Sequence, residues 1–313
     1  MKKFGAMRAL LVALMLMFAS QAGAGCGNLC DNSWWETATE ADVQAELDGG
    51  ADVMARNEWG RTPLHYVAQY GFPANIQALL DAGADVMARG KYDITPLHLA
   101  AQYNYAEVIQ ALLGIGADVM ARDHVGMTPL HRAGSPEVIQ PLLAAGADVM
   151  ARDAVGNTPL HKAGSPEAMQ LLLAAGADVM ARNEIGMTPL HKAAHYGYAE
   201  NIQALLTADA DVMARDVSGS TPLHWAALHD APASIQALLA AGADVMVRDE
   251  HGLTPLHWAV RDGAAENIQA LLAAGADAKA KDKDGETPWA LAQENEKLKG
   301  TKAYWALNDA QYN

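Results

Sequence analysis

From Thr95 to Gly116 the apolar positions form two short helical stripes. Leu97, Ala100 and Ala101 fall at i, i+3 and i+4, and Ile109, Leu112 and Leu113 repeat that spacing. Thr95 fits an N-cap and Pro96 the first helical position, where its missing N–H costs nothing. Gly116 sits where a left-handed residue ends the second helix, and Asp123-His124-Val125-Gly126 reads as a turn before the next Thr-Pro. The predicted unit is helix, turn, helix, then an extended loop with a hairpin-like tip.

The same phrase, Thr-Pro-Leu-His, begins at Thr62, Thr95, Thr128, Thr158, Thr188, Thr221 and Thr254, and returns as Thr-Pro-Trp-Ala at Thr287, with spacings of 33, 33, 30, 30, 33, 33 and 33. A unit of about 30 residues cannot bury its apolar face alone, so a fixed period of this size means stacking on copies of itself. The expected fold is an all-α repeat solenoid of stacked helix-turn-helix units joined by β-hairpin-like loops. Two units are shorter: Gly134-Ser135-Pro136-Glu137 and Gly164-Ser165-Pro166-Glu167 replace the end of the first helix, predicting a stunted helix and a new start at the proline. Asp93 stands where other turns carry Gly, and Asp tolerates the left-handed conformation. Residues 34–56 read as an N-terminal cap with Trp34 or Trp35 over the open end. Residues 287–313 read as a C-terminal cap closed by a helix through Tyr304, Trp305 and Leu307.

Thr-Pro-Leu-His-x-Ala together with Gly-Ala-Asp-Val at this period resembles the ankyrin repeat, over roughly residues 34 to 311. One departure recurs: Met follows Gly-Ala-Asp-Val where the family most often has Asn. The resemblance implies a structural role for the repeat histidine around the Thr-Pro turn. It also implies a concave face and hairpin tips that grip a protein partner.

Charge and the N-terminus add location. Lys2, Lys3 and Arg8 precede an apolar run from Ala9 to Ala19, shorter than the about 20 residues a membrane anchor needs, and Ala22-Gly23-Ala24 offers a cleavage site. Residues 1–24 are thus expected to be a signal peptide of an exported bacterial protein. Residues 25–33 form a short segment with both cysteines, and 34–313 the repeat domain. If Cys26 is not lipidated, export favours its oxidation with Cys30. Lipidation is the lesser alternative, because Gly23 stands where such signals usually carry Leu. Net charge is −15, and removal of the three leader cations takes it to −18, which disfavours nucleic acid as a partner. The mature chain is expected to be monomeric and not inserted in a membrane.

Candidate chemistry recurs too regularly to be catalytic. His65, His98, His131, His161, His191, His224 and His257 come once per layer. Layers about 10 Å apart forbid a shared metal site, whose zinc–nitrogen bonds are about 2 Å. Met54, Met87, Met120, Met150, Met180, Met213 and Met246 form a second ladder, read as flexible packing between hairpins. No unit carries a unique acid–base pair or nucleophile, so no enzyme activity, cofactor or metal is expected. The residues that vary lie just after the repeat histidine: Tyr66, Leu99, Arg132, Lys162, Lys192, Trp225 and Trp258. One turn later come Tyr70, Tyr103, Tyr196 and His229. These side chains either contact a partner or cover neighbouring layers. In order they read apolar, basic, apolar, which fits a partner with a central acidic stretch. The expectation is a non-catalytic protein-interaction scaffold of the bacterial periplasm or cell surface. The alternative is a secreted effector that mimics host ankyrin proteins.

Overall fold

A computed structural model describes residues 25–312. The leader expected over residues 1–24 lies outside the described residues. Among them the chain is helical, with seventeen α-helices, three short 3-10 turns and no strand, an all-α repeat solenoid. It divides into two compact units, one ending at Val125 and one beginning at Gly126.

The first unit starts with Cys26 and Cys30 joined by a disulfide around the 3-10 turn Gly27–Cys30. Trp35, fully buried, caps the stack: its indole donates to the Leu29 carbonyl (2.9 Å), and its ring stacks on Tyr66 at 6.3 Å and lies 5.9 Å from Phe72. Helix Glu40–Asp48 follows, held by a Thr39/Asp42 capping box. Two helix pairs complete the unit, Pro63–Tyr70 with Ala74–Asp81 and Pro96–Gln102 with Ala106–Gly114. Leu64, Val67, Ile76 and Leu79 fill the first layer, and Leu97, Ala100, Ile109 and Leu112 the second. Asp93 takes the left-handed backbone expected of it (φ 57°), and Tyr92 before it does the same (φ 65°).

In the second unit the shortened repeats have first helices of four residues, Pro129–Arg132 and Pro159–Lys162, with new starts at Pro136 and Pro166. Pro189–His195 is seven residues long. Pro222–Ala226 has only five, although its repeat is full length, because the chain leaves the helix early and turns at His229 (φ 51°). In the closing helix Lys302–Ala310, Ala303 and Leu307 are buried and Trp305 is 56% exposed. Trp305 therefore does not close the stack; Trp289 packs on Tyr304 at 4.8 Å instead.

The loops are joined by single backbone bonds rather than strand ladders. Glu184 N–H donates to Val155 O (3.1 Å), Val217 to Ile185 (3.1 Å) and Glu250 to Ser218 (2.9 Å). Gly186 has φ 75°, and a Cβ there would lie 3.0 Å from the Val217 nitrogen. Left-handed backbone and close approach thus both demand glycine at that tip.

The repeat histidine binds layer to layer. At His161 the Thr158 backbone N–H donates to Nδ1 (3.1 Å), with the Thr158 hydroxyl at 2.9 Å and the Met187 carbonyl 3.0 Å from Nε2. An N–H can only donate, so Nδ1 is the acceptor and the proton sits on Nε2, which donates to the next loop. His65, His131, His191, His224 and His257 repeat this with Ile94, Asn157, Ser220, Leu253 and Glu286. Burial pushes His65, His161 and His191 down to about 4. Protonating Nδ1 would destroy its acceptor role and charge a buried ring. Between pH of about 6.5 and 4 the unfolded chain binds more protons at these sites than the folded one. Stability should therefore be complete above that window and fall with pH through it, by about 1.4 kcal/mol per pH unit for each histidine. Urea midpoints measured from pH 7 to 4.5 should fall steeply; a flat profile would show that the rings are not held neutral.

Candidate functional site

In the first unit the expected apolar patch is largely used internally. Tyr66 is 2% exposed; its hydroxyl accepts from Asn57 Nδ2 (2.7 Å) and donates to the Cys30 carbonyl (2.9 Å). Leu99 is likewise 2% exposed. Both are corrected from partner contacts to packing residues. Tyr70 is half-buried, and Tyr103 is exposed.

The reason for the correction recurs in the second unit. Lys162 Nζ lies 3.6 Å from Asp153 Oδ2, Trp225 Nε1 donates to Asp216 Oδ2 (3.0 Å), and Trp258 Nε1 donates to Asp249 Oδ2 (3.0 Å). In each case, as with Tyr66 and Asn57, the residue after the histidine reaches a hairpin residue nine positions earlier. That hairpin residue also receives the turn's own N–H groups; Asp216 Oδ1 accepts from Ser218 and Ser220 (both 2.9 Å). The sequence holds a signal for this pairing. Where the hairpin position is Gly90, with no side chain to offer, the residue nine later is the apolar Leu99.

Arg132, Lys162 and Lys192 are accordingly not three free cations. Burial pushes the Asp153 carboxyl up, but hydrogen bonds from Asn157 and Val155 and the Lys162 charge outweigh it and hold the group below the usual range. Lys192 is half-buried, and burial followed by repulsion from Lys162 pulls its ammonium down. Arg132 is half-buried too.

What the structure does assemble is an aromatic and histidine cluster on three successive repeats of the second unit. His195 lies 5.3 Å from Trp225, 5.6 Å from His229 and 5.1 Å from Tyr196; Tyr196 stacks on Tyr198 at 5.6 Å, and Trp225 meets Trp258 edge-on at 5.5 Å. Tyr196 is 57% exposed and Tyr198 44%. Of these residues Tyr196, Trp225, His229 and Trp258 were expected from the sequence, whereas His195 and Tyr198 were missed because they fall outside the i+4 register. The buried Asn267 amide holds the His229 turn by donating to the Ala227 (3.0 Å) and His229 (2.8 Å) carbonyls, and Asp262 Oδ2 accepts the His229 N–H (3.2 Å). Burial, then His229 and Lys192, pull the His195 imidazole below its ordinary value. The cluster thus presents aromatic faces and polar ring edges.

Hairpin tips carry further apolar surface. In the first unit Trp59 and Tyr92 are each 48% exposed, with Lys91 Nζ 4.8 Å and 5.3 Å from their ring centres. In the second, Val155, Ile185 and Val217 are exposed. Among the described residues, no group of three or more His, Cys, Asp or Glu side chains could hold a metal ion, and no helix is long and apolar enough to cross a membrane.

The family model described as "Ankyrin repeats (3 copies)" matches residues 37–123, 94–153, 162–249 and 223–303. No curated protein matches the chain.

The pairing of Trp225 with Asp216 has a measurable cost when broken. Asp216→Ala strips the partner from the indole N–H and from two turn amides, and should destabilise the chain by about 1–3 kcal/mol. Trp225→Phe, which removes the indole donor and part of the ring but leaves both turn amides their acceptor, should cost less. Denaturant midpoints of the two variants would rank them; equal midpoints to the parent chain would make the contact incidental.

Proposed function

The chain belongs to the ankyrin-repeat family, whose repeats generally mediate protein–protein interaction, and from that premise we propose that it is a non-catalytic scaffold that binds a partner protein. The observation that carries this reading is the cluster from His195 to Trp258, where several side chains of different repeats meet and Tyr196 and Tyr198 stand in solvent. Aromatic side chains with a polar handle are what interface hot spots favour. The exposed tip residues Ile185 and Val217 extend the contact on the hairpin side. Acidic overall charge supports a protein rather than nucleic acid as partner.

The proposed place of action is the periplasm or the cell surface. Residues 1–24 carry the leader pattern, and the Cys26–Cys30 disulfide is at home in an oxidising compartment. Intact mass of the exported chain should correspond to loss of residues 1–24, with no lipid on Cys26. A retained leader or a lipid adduct would overturn this.

Tyr196 is the probe for binding, because Trp225 and Trp258 also hold their own hairpins. With a partner captured from periplasmic extract, Tyr196→Ala should weaken binding by about 2 kcal/mol while leaving the melting temperature unchanged. Unchanged affinity in Tyr196→Ala, together with a loss in Ile185→Ser, would move the interface to the hairpin tips.

A further inference from the structure

The methionine ladder is more than packing. Met54 Sδ accepts the Asp85 backbone N–H (3.3 Å), and Met87 Sδ accepts that of Asp118 (3.2 Å). In the second unit Met150, Met180, Met213 and Met246 accept from Asp178, Asp211, Asp244 and Asp277 at 3.2–3.4 Å. Each of these aspartates turns back: Asp85 Oδ1 accepts the Met87 N–H and Asp178 Oδ1 that of Met180, both at 2.8 Å. The run ends at Asp277, whose carboxylate accepts from Lys279, a residue with no acceptor to pass on.

A thioether is among the weakest acceptors a side chain can offer, so an N–H acceptor alone does not call for sulfur. What sulfur adds is a second lone pair that can be oxidised, and its placement permits this. Met54 is 37% exposed, and Met87, Met120, Met150, Met180, Met213 and Met246 are part-exposed, whereas Met169 and Met187 are 2% and 1% exposed in the core.

We propose that the six methionines whose sulfur holds an aspartate N–H, Met54, Met87, Met150, Met180, Met213 and Met246, are a reversible oxidation site that takes up oxygen from hydroperoxides without loss of the fold. The sulfur lone pair attacks the terminal peroxide oxygen; the S–O bond forms as the O–O bond breaks. Sulfur is oxidised by two electrons, the peroxide is reduced, and the proton passes to the leaving oxygen, which departs as water or an alcohol. The new sulfoxide oxygen is a stronger acceptor than the thioether, on a side chain with three rotatable bonds, and it takes over the same aspartate N–H from the solvent side. A sulfoxide in the core would instead disrupt packing. Reduction by a thiol-dependent methionine sulfoxide reductase, two thiols closing a disulfide and the oxygen leaving as water, restores the ladder.

The test uses the full chain and hydrogen peroxide. Peptide mass mapping should show these six methionines each gaining one oxygen, roughly ten-fold or more faster than Met169 and Met187. The oxidised chain should keep a cooperative melt, and reductase with dithiothreitol should remove the oxygen. Hydrogen exchange at the Asp211 amide isolates the bond itself. It should be fast in Met180→Leu and slow in both the parent and the oxidised chain. Ladder methionines that react no faster than the core pair, loss of the cooperative melt on oxidation, or an Asp211 amide as exposed after oxidation as in Met180→Leu would each overturn the proposal.

Discussion

The stack depends on a neutral imidazole that touches two layers at once. His161 takes the Thr158 N–H at one nitrogen and gives its proton to the Met187 carbonyl at the other, so one side chain both starts its own helix and fixes the next loop. Both groups it satisfies are buried, and a buried amide or carbonyl left without a partner costs about 1–3 kcal/mol. Thr and Pro are tied to the histidine by the same geometry. Thr supplies the N-cap, and Pro occupies the one helical position that needs no donor.

Around that fixed point a methionine sulfur adds a second link between layers, and in four repeats the residue just past the histidine ties the helix to its own hairpin. Tyr66, Lys162, Trp225 and Trp258 each answer the hairpin residue nine positions earlier, so their variation in type follows at least that internal partner. A further turn along, Tyr103, Tyr196 and His229 stand in solvent, and there variation is free to serve recognition.

The period, the helix starts at Thr-Pro, the shortened helices before Gly134 and Gly164 and the left-handed Asp93 were all legible in the sequence, since each follows from local backbone chemistry. Pairing across a hairpin was not. Trp225 and Asp216 meet through the tertiary path of the chain, and nothing in helical spacing says that an indole will fold back on a loop. The early end of Pro222–Ala226 escaped for a similar reason: the turn at His229 is held by Asn267, 38 residues away. The methionines were seen as a ladder, but a sulfur acceptor has no sequence signature distinct from ordinary packing.

The two shortened repeats show where such a chain can change. Met150 reaches Asp178 across 28 positions, while Met180 reaches Asp211 across 31, yet both bonds are 3.3 Å. The deletion is absorbed by the helix end and never felt at the loop edge. Six aspartate amides on that edge therefore face the same kind of acceptor, whether the repeat between them is long or short. Recombination that adds or drops a whole repeat would leave no mismatched partner behind, so the gene can lengthen or shorten the protein in steps of one layer while the chemistry that joins the layers is inherited intact.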